Sequence, residues 1–245
     1  MALLHCEFSS KALEMNTSAR VILPEEGDLS QANVVYLLHG LTDNCTGWTR
    51  YTSVERYARE RGIAVVMPEV QRSWYCDMAN GLNYFEYVSD ELPKLCHRFF
   101  GLSLQREHSY VVGLSMGGFG ALKTALTYPE RYAGVGSFSG AVDLARSMEL
   151  SMTNDLRRRE SAAILGPDRK VGPENDIKAL AAKASPMPKI YLSCGEQDSL
   201  YAPNNDLHAH LEALGIDHRY DHREGGHAWS FWDQSLQDCL AYLFD

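Results

Sequence analysis

Between Ser109 and Tyr128 the chain reads SYVVGLSMGGFGALKTALTY, and at its centre Gly113-Leu114-Ser115-Met116-Gly117 sets a serine two residues from a glycine on either side. This GxSxG run follows an apolar, β-branched stretch and precedes a helical pattern, a placement that gives it a chemical reading. A strand that turns straight into a helix forces the serine into a strained backbone conformation, and flanking glycines remove side chains that would collide there. The turn lifts the hydroxyl above the sheet end, beside the unpaired N–H groups of the helix start. Gly118 and Gly120 let the same helix lie close on the sheet. The implied chemistry is nucleophilic attack by Ser115; the bland reading is a glycine-rich turn carrying an incidental serine.

A serine hydroxyl needs a neighbouring base, and a histidine base needs a carboxylate to hold its tautomer. The segment EGGHAWSFW sets His227 after two glycines and before the last helical pattern, in a loop able to present an imidazole. His208 and His210 fall inside a helical pattern, where positions i and i+2 point apart, so they make no metal pair. Strand alternation sends His218 and His222 to one face and Asp221 to the other, leaving no zinc constellation. The stretch KIYLSCGEQDSLY offers two acids. Asp198 lies further into the loop and is the better partner, whereas Glu196 stands at the turn, placed to cap or hydrogen-bond there; Asp233 is expected on the surface.

A tetrahedral intermediate also needs two N–H donors for its oxyanion, each worth about 3–4 kcal/mol of barrier. In VVYLLHGLTDNCTGW a strand runs into His39-Gly40, and the N–H groups of Leu41 and Met116 are the natural pair; His39 reads as structural. Trp48, Trp74, Tyr84 and Trp229 are candidates for lining a substrate pocket, although such residues are more often core than pocket; the last lies only two residues from His227. No metal or organic cofactor is called for.

Apolar runs at Val34–Leu38, Ile63–Met67, Ser109–Gly113, Ala133–Phe138 and Lys189–Ser193 are the strands able to position these residues. Their continuous apolar character suits a parallel sheet covered on both faces. Helical patterns lie between and after them at Ser53–Arg61, Asn83–Phe100, Met116–Tyr128, Asn205–Leu214 and Ser230–Leu243. The alternation predicts an α/β fold with a mostly parallel central sheet and helices on both faces. Leu3–Phe8 and Arg20–Leu23 read as two further strands, antiparallel at one edge, and His218–Arg223 as one more near the end. Residues 1–245 form a single domain on this reading. Val142–Ser185 is polar, broken by Gly166-Pro167 and Gly172-Pro173, and far longer than a simple crossover; it reads as a helical insertion above the sheet that shapes a pocket, or as a long surface excursion.

The 245 residues carry a net charge of −9, with 45% hydrophobic and 22% charged residues, proportions of a globular rather than a disordered chain. An acidic balance argues against a nucleic-acid partner, and the short basic run Arg157–Arg159 reads as a solvated helix face. No stretch approaches the roughly 20 apolar residues of a membrane span. Six scattered cysteines without a CxxC pair, and an N-terminus without an export pattern, point to reduced thiols and a cytoplasmic location. Charge and composition are compatible with a monomer or a homo-oligomer.

Taken together, HGLTDN, VVMPEVQRSWYCDM, YFEYVSDELP, GLSMGG, CGEQDSLY and GGHAW resemble the esterase D family of α/β-hydrolases, in particular its bacterial tributyrin esterases. The likeness spans His39 to Trp232. It implies an α/β-hydrolase fold with Ser115 as nucleophile, Asp198 as acid, His227 as base, and Leu41 and Met116 as oxyanion donors. The activity implied is hydrolysis of a small-molecule ester with a short acyl chain, acetyl to butyryl. The S-formylglutathione hydrolases share the plan and suggest a thioesterase as alternative, and the feruloyl and acetyl-xylan esterases suggest an esterase of acylated carbohydrate. Acyl transfer to an alcohol and a non-catalytic binding scaffold are the remaining readings.

Overall fold

The computed structural model describes residues 1–150 and 154–244. Eight strands form one sheet: β1 (Ala2–Ser10), β2 (Met15–Leu23), β3 (Val34–Leu38), β4 (Ala64–Pro68), β5 (Ser109–Leu114), β6 (Gly134–Phe138), β7 (Lys189–Gly195) and β8 (Arg219–Arg223). Their spatial order is β1-β2-β4-β3-β5-β6-β7-β8. β2 pairs antiparallel with both β1 and β4, and every other pairing is parallel. The edge hairpin expected from the sequence is therefore present with longer arms, and within it only β2 opposes the sheet.

Strands β3, β4, β5 and β6 are buried at every residue. Burial on both faces explains why they read as unbroken apolar runs rather than as alternating ones. One face is covered by α3 (Tyr84–Glu86), α4 (Leu92–Phe100), α5 (Met116–Thr127), α8 (Ile177–Ala181) and α9 (Tyr201–Ala213). The other face carries α1 (Gly47–Tyr51), α2 (Val54–Arg61) and α10 (Trp229–Phe244). Asp233 on α10, expected at the surface, accepts from the Tyr57 hydroxyl at 2.9 and 3.0 Å and from the Ser53 N–H at 3.2 Å, tying α10 to the start of α2.

A π-helical turn, Tyr87–Glu91, joins α3 to α4. Tyr87, Val88 and Ser89 within it are buried, while the Glu91 carboxylate accepts the N–H groups of Lys11 (2.7 Å) and Ala12 (3.2 Å) and the Ser10 hydroxyl at the β1–β2 turn.

Between β6 and β7 the chain forms α6 (Leu144–Leu150), α7 (Asp155–Leu165) and then α8. Residues 151–153 of the expected insertion lie outside the described residues. The backbone N–H groups of Ala79 and Asn80 bond the carbonyls at the end of α7 (3.0 and 2.9 Å). A cavity of about 440 Å³ lies between this segment and α9, with Val142, Asp143, Pro203 and Leu207 in its walls; Ser115, Asp198 and His227 are not among its lining residues. All six cysteines are free thiols. Among the described residues no helix is long and apolar enough to cross a membrane.

Candidate active site

Ser115 is the single residue between β5 and α5, with φ 53° and ψ −118°. A non-glycine residue held there costs about 1–3 kcal/mol, so its surroundings must over-determine it. They do: its N–H bonds the Phe138 carbonyl (2.8 Å), and its own carbonyl accepts from Ala141 (3.0 Å) and Phe119 (3.1 Å). The flanking glycines are required by close approach. A Cβ on Gly113 would lie 2.3 Å from the Gly117 carbonyl oxygen, and one on Gly117 would lie 2.4 Å from that of Leu38.

His227 arrives from the loop after β8 and Asp198 from the loop after β7, and the structure brings both to Ser115. His227 Nδ1 is 2.8 Å from Asp198 Oδ2, and Nε2 is 3.0 Å from Ser115 Oγ. An ionised carboxylate only accepts, so Nδ1 carries the proton and Nε2 is left to accept the serine O–H. The two loops are laced backbone to backbone. Glu196 and Gln197 N–H groups bond the carbonyls of Arg223 and Gly225 (both 3.0 Å), and a Cβ on Gly195 would sit 2.2 Å from the Gly225 oxygen. Burial alone would raise the Asp198 carboxyl. Hydrogen bonds from His227 and the Leu200 N–H, with the His227 charge, outweigh it and hold the group below the ordinary aspartate value. Glu196, the other acid weighed, pairs instead with the exposed His222 (3.1 Å).

The loop after β3 completes the site. A Cβ on Gly40 would come within 3.7 Å of Ser115 Cβ, which sets the His39–Leu41 backbone against the serine. Met116 follows Ser115 directly at the start of α5, where a helix N–H has no intrahelical acceptor, and Leu41 follows Gly40 on this loop. His39 is 1% exposed; the Val70 N–H donates to its Nε2 (3.2 Å) and its Nδ1 donates to the Gly40 carbonyl (2.8 Å). Burial lowers its pKa, against the hydrogen bond to Gly40 and the charges of Glu69 and Asp43. A neutral histidine thus braces the loop. The Tyr75 hydroxyl pins the His39 carbonyl (2.9 Å), and Arg72 spans the Leu41 carbonyl and the Glu160 carboxylate of α7. Gln71, Trp74 and Tyr75 all have positive φ, a concentration of strain beside the site. Asp43 is half-buried on this loop; burial pushes its carboxyl up, opposed by His39, the Gly40 N–H and His227.

Of the four aromatic candidates, three lie in the core. Trp48 is fully buried, its indole N–H bonded to the Leu38 carbonyl (3.1 Å) in the core beneath α10. Trp74 and Tyr84, 7% and 4% exposed, belong to the core on the opposite face. Their bulk serves packing, so these three do not form an open wall. Trp229 is partly exposed, edge-on to Trp48 (5.2 Å between centroids) and next to Tyr51 (5.0 Å). Tyr75, Asp43, Ser139 and Trp232 went unread in the sequence. Trp232 alone carries a signal there, lying five residues after His227; the other three gain partners only through chain crossings that no local pattern reveals.

His208 Nδ1 and His218 Nε2 meet at 2.7 Å, away from Ser115, and among the described residues no group of three or more His, Cys, Asp or Glu side chains is arranged to hold a metal.

Comparison with known proteins adds four likenesses. The family described as "Putative esterase" matches residues 10–243. An acetyl esterase of Caldicellulosiruptor saccharolyticus is 30% identical over 263 aligned residues, covering 99% of this chain and 98% of that protein. Among solved structures, the fluorophosphonate-binding serine hydrolase FphF of Staphylococcus aureus superposes with a TM-score of 0.92 at 32% identity, covering 100% of this chain and 98% of that one. The S-formylglutathione hydrolase FrmB of the same organism gives 0.89 at 32% identity, covering 100% and 99%.

Proposed function

The chain belongs to the esterase family and is a carboxylic ester hydrolase with the α/β-hydrolase fold, and from that premise we propose that it is a short-chain serine carboxylesterase of the tributyrin-esterase kind. The observation that carries the reading is the unbroken hydrogen-bonded run from Ser115 Oγ through His227 to Asp198, at 3.0 and 2.8 Å. His227 Nε2 takes the serine proton as Oγ attacks the ester carbonyl. The N–H groups of Leu41 and Met116 receive the oxyanion, and the imidazolium protonates the departing alcohol. Water, activated by the same histidine, then releases the acid from the acyl-enzyme. Asp198, held below the ordinary aspartate value by its hydrogen bonds to His227 and the Leu200 N–H, compensates the imidazolium. Similarity to an acetyl esterase supports a small acyl group, acetyl to butyryl.

A second reading is favoured by the S-formylglutathione hydrolase at 32% identity: the same run of residues would serve a thioester. Steady-state hydrolysis of p-nitrophenyl acetate through octanoate, with S-formylglutathione in parallel, separates the two for the wild type and Ser115→Ala. Turnover concentrated on acetyl to butyryl esters and abolished in Ser115→Ala is expected. Preference for octanoate removes the short-chain assignment, and an active Ser115→Ala removes the nucleophile.

A further inference from the structure

Resting on the reading of Leu41 and Met116 as the two oxyanion donors, we propose that Lys123 is a positioning residue that ties the Leu41 loop to the helix headed by Met116. Lys123 lies about two turns after Met116 on α5 and is 3% exposed. Lysines are almost never buried this deeply unless paired. Its partners are the Tyr75 carbonyl (3.1 Å), the Cys76 thiol (3.6 Å) and the face of the Phe85 ring (4.1 Å to the centroid), none of them a carboxylate. An ammonium withdrawn from water without a counter-charge weighs against stability, and an apolar side chain of similar length would pack there without that penalty. What the amine holds therefore matters more than its packing, and its shortest bond is to the Tyr75 carbonyl.

Tyr75 has φ 51° and follows Trp74 at φ 54°, a left-handed pair that bulky residues seldom form. Such a turn persists only where its surroundings hold it. Three contacts hold Tyr75. Lys123 Nζ takes its carbonyl, and its N–H bonds Ser73 Oγ (3.2 Å). Its ring lies against α5 itself, since a Cβ on Gly120 would come within 2.4 Å of Tyr75 Cγ. Pinned at backbone and ring, Tyr75 extends its hydroxyl to the His39 carbonyl at 2.9 Å, two residues before the Leu41 N–H. One donor thus heads α5, and the other hangs from the same helix through Lys123, Tyr75 and His39. A helix is rigid over two turns, so the spacing of the two donors is set from one element. Lys123 stands away from Ser115 and acts only through Tyr75.

The test compares wild type, Lys123→Met, Tyr75→Phe and the double variant by kcat and KM on p-nitrophenyl acetate, and by the Leu41 amide resonance of the free enzyme. Lys123→Met keeps the length of the stem and loses the donor. Its kcat should fall about 10- to 100-fold while KM changes less than about twofold, since a displaced oxyanion donor is missed in the transition state and not in the ground state. The Leu41 resonance should shift in both single variants. In the Tyr75→Phe background Lys123→Met should have little further effect, because the lysine acts through that hydroxyl. A merely structural lysine would lower Tm, leave the Leu41 resonance in place and change kcat equally with or without the hydroxyl. Wild-type kcat or an unmoved Leu41 resonance in Lys123→Met overturns the proposal, as does full additivity in the double variant. Where Lys123→Met does not fold, Lys123→Gln, whose reach is shorter, takes its place under the same criteria. The resonance needs no substrate, so it reports on the link even where an active Ser115→Ala variant defeats the functional reading. Wild-type kcat in Lys123→Met beside an inactive Ser115→Ala defeats the link alone.

Discussion

Gly117 lies where the nucleophile helix meets the end of β3, and replacing it with alanine tests whether that contact sets the catalytic geometry. A Cβ there would stand 2.4 Å from the Leu38 oxygen and 2.7 Å from the His39 oxygen. Both are backbone atoms, and His39 O is already tied to the Tyr75 hydroxyl, so neither can rotate away. Relief requires α5 and the β3 end to separate by roughly 0.6–1 Å before ordinary van der Waals contact returns. The separation falls between the two proposed oxyanion donors, since Met116 precedes Gly117 and Leu41 follows His39 by two residues. Overpacking of this kind costs about 1–3 kcal/mol, and the helical gain of alanine over glycine returns up to about 1 kcal/mol. Net stability should therefore fall by about 1–2 kcal/mol, while a displacement near 1 Å at the donors should lower kcat about 100-fold. Urea unfolding and kcat on p-nitrophenyl acetate measure the two effects. Gly101→Ala is the control: Gly101 ends α4 at φ 72° with open space around it, so it should lose about 1–2 kcal/mol to backbone strain and keep its kcat. A Gly117→Ala enzyme with kcat within about threefold of wild type would refute the argument that helix approach governs the donors.

Two other outcomes are expected. His39 has a folded-state pKa below its ordinary value of 6.5, so the unfolded chain binds its proton more readily. The stability this contributes is complete above about pH 6.5 and is lost as pH falls through the lower folded value; His39→Gln should flatten that part of the urea-midpoint profile, and an unchanged slope between about pH 5 and 7 would contradict the buried neutral assignment. Trp48→Ala should cost about 3–5 kcal/mol, as expected of a fully buried ring, whereas Trp229→Ala should act chiefly on KM. The reverse pattern in thermal unfolding and kinetics would exchange their roles.

The strands were legible because burial on both faces leaves an unbroken apolar run, and β3 coincides with the expected Val34–Leu38. The positions of Ser115, Asp198 and His227 were readable for a related reason: each occupies a short loop after a strand, marked by glycines whose necessity is local. The arms of the edge hairpin were read too short because Asn16–Ser18 is polar and not buried, so no apolar run announces it. Helix α9 begins four residues before the expected Asn205, since Pro203 looks like a breaker but falls in the first turn, where its missing N–H leaves no bond unmade. The aromatic pocket residues show the limit of composition. Trp48 and Trp229 look alike in print, yet Trp48 is fully buried with its indole N–H on the Leu38 carbonyl while Trp229 is partly exposed.

The wide turn at Tyr87–Glu91 bears on how this chain can tolerate change in length. In a regular helix each residue advances about 100°, so three consecutive side chains cannot all face inward while the next two reach separate neighbours. The π-turn accommodates one residue more than an α-helical turn would, and so Tyr87, Val88 and Ser89 are buried, Asp90 faces Arg131, and Glu91 meets the β1–β2 turn. An insertion absorbed in this way leaves the flanking α3 and α4 in phase with the sheet. The hairpin at the sheet edge thus depends on the rotational phase of Glu91 rather than on the length of the helix that carries it, which lets this end of the fold drift in length without disturbing the loops around Ser115.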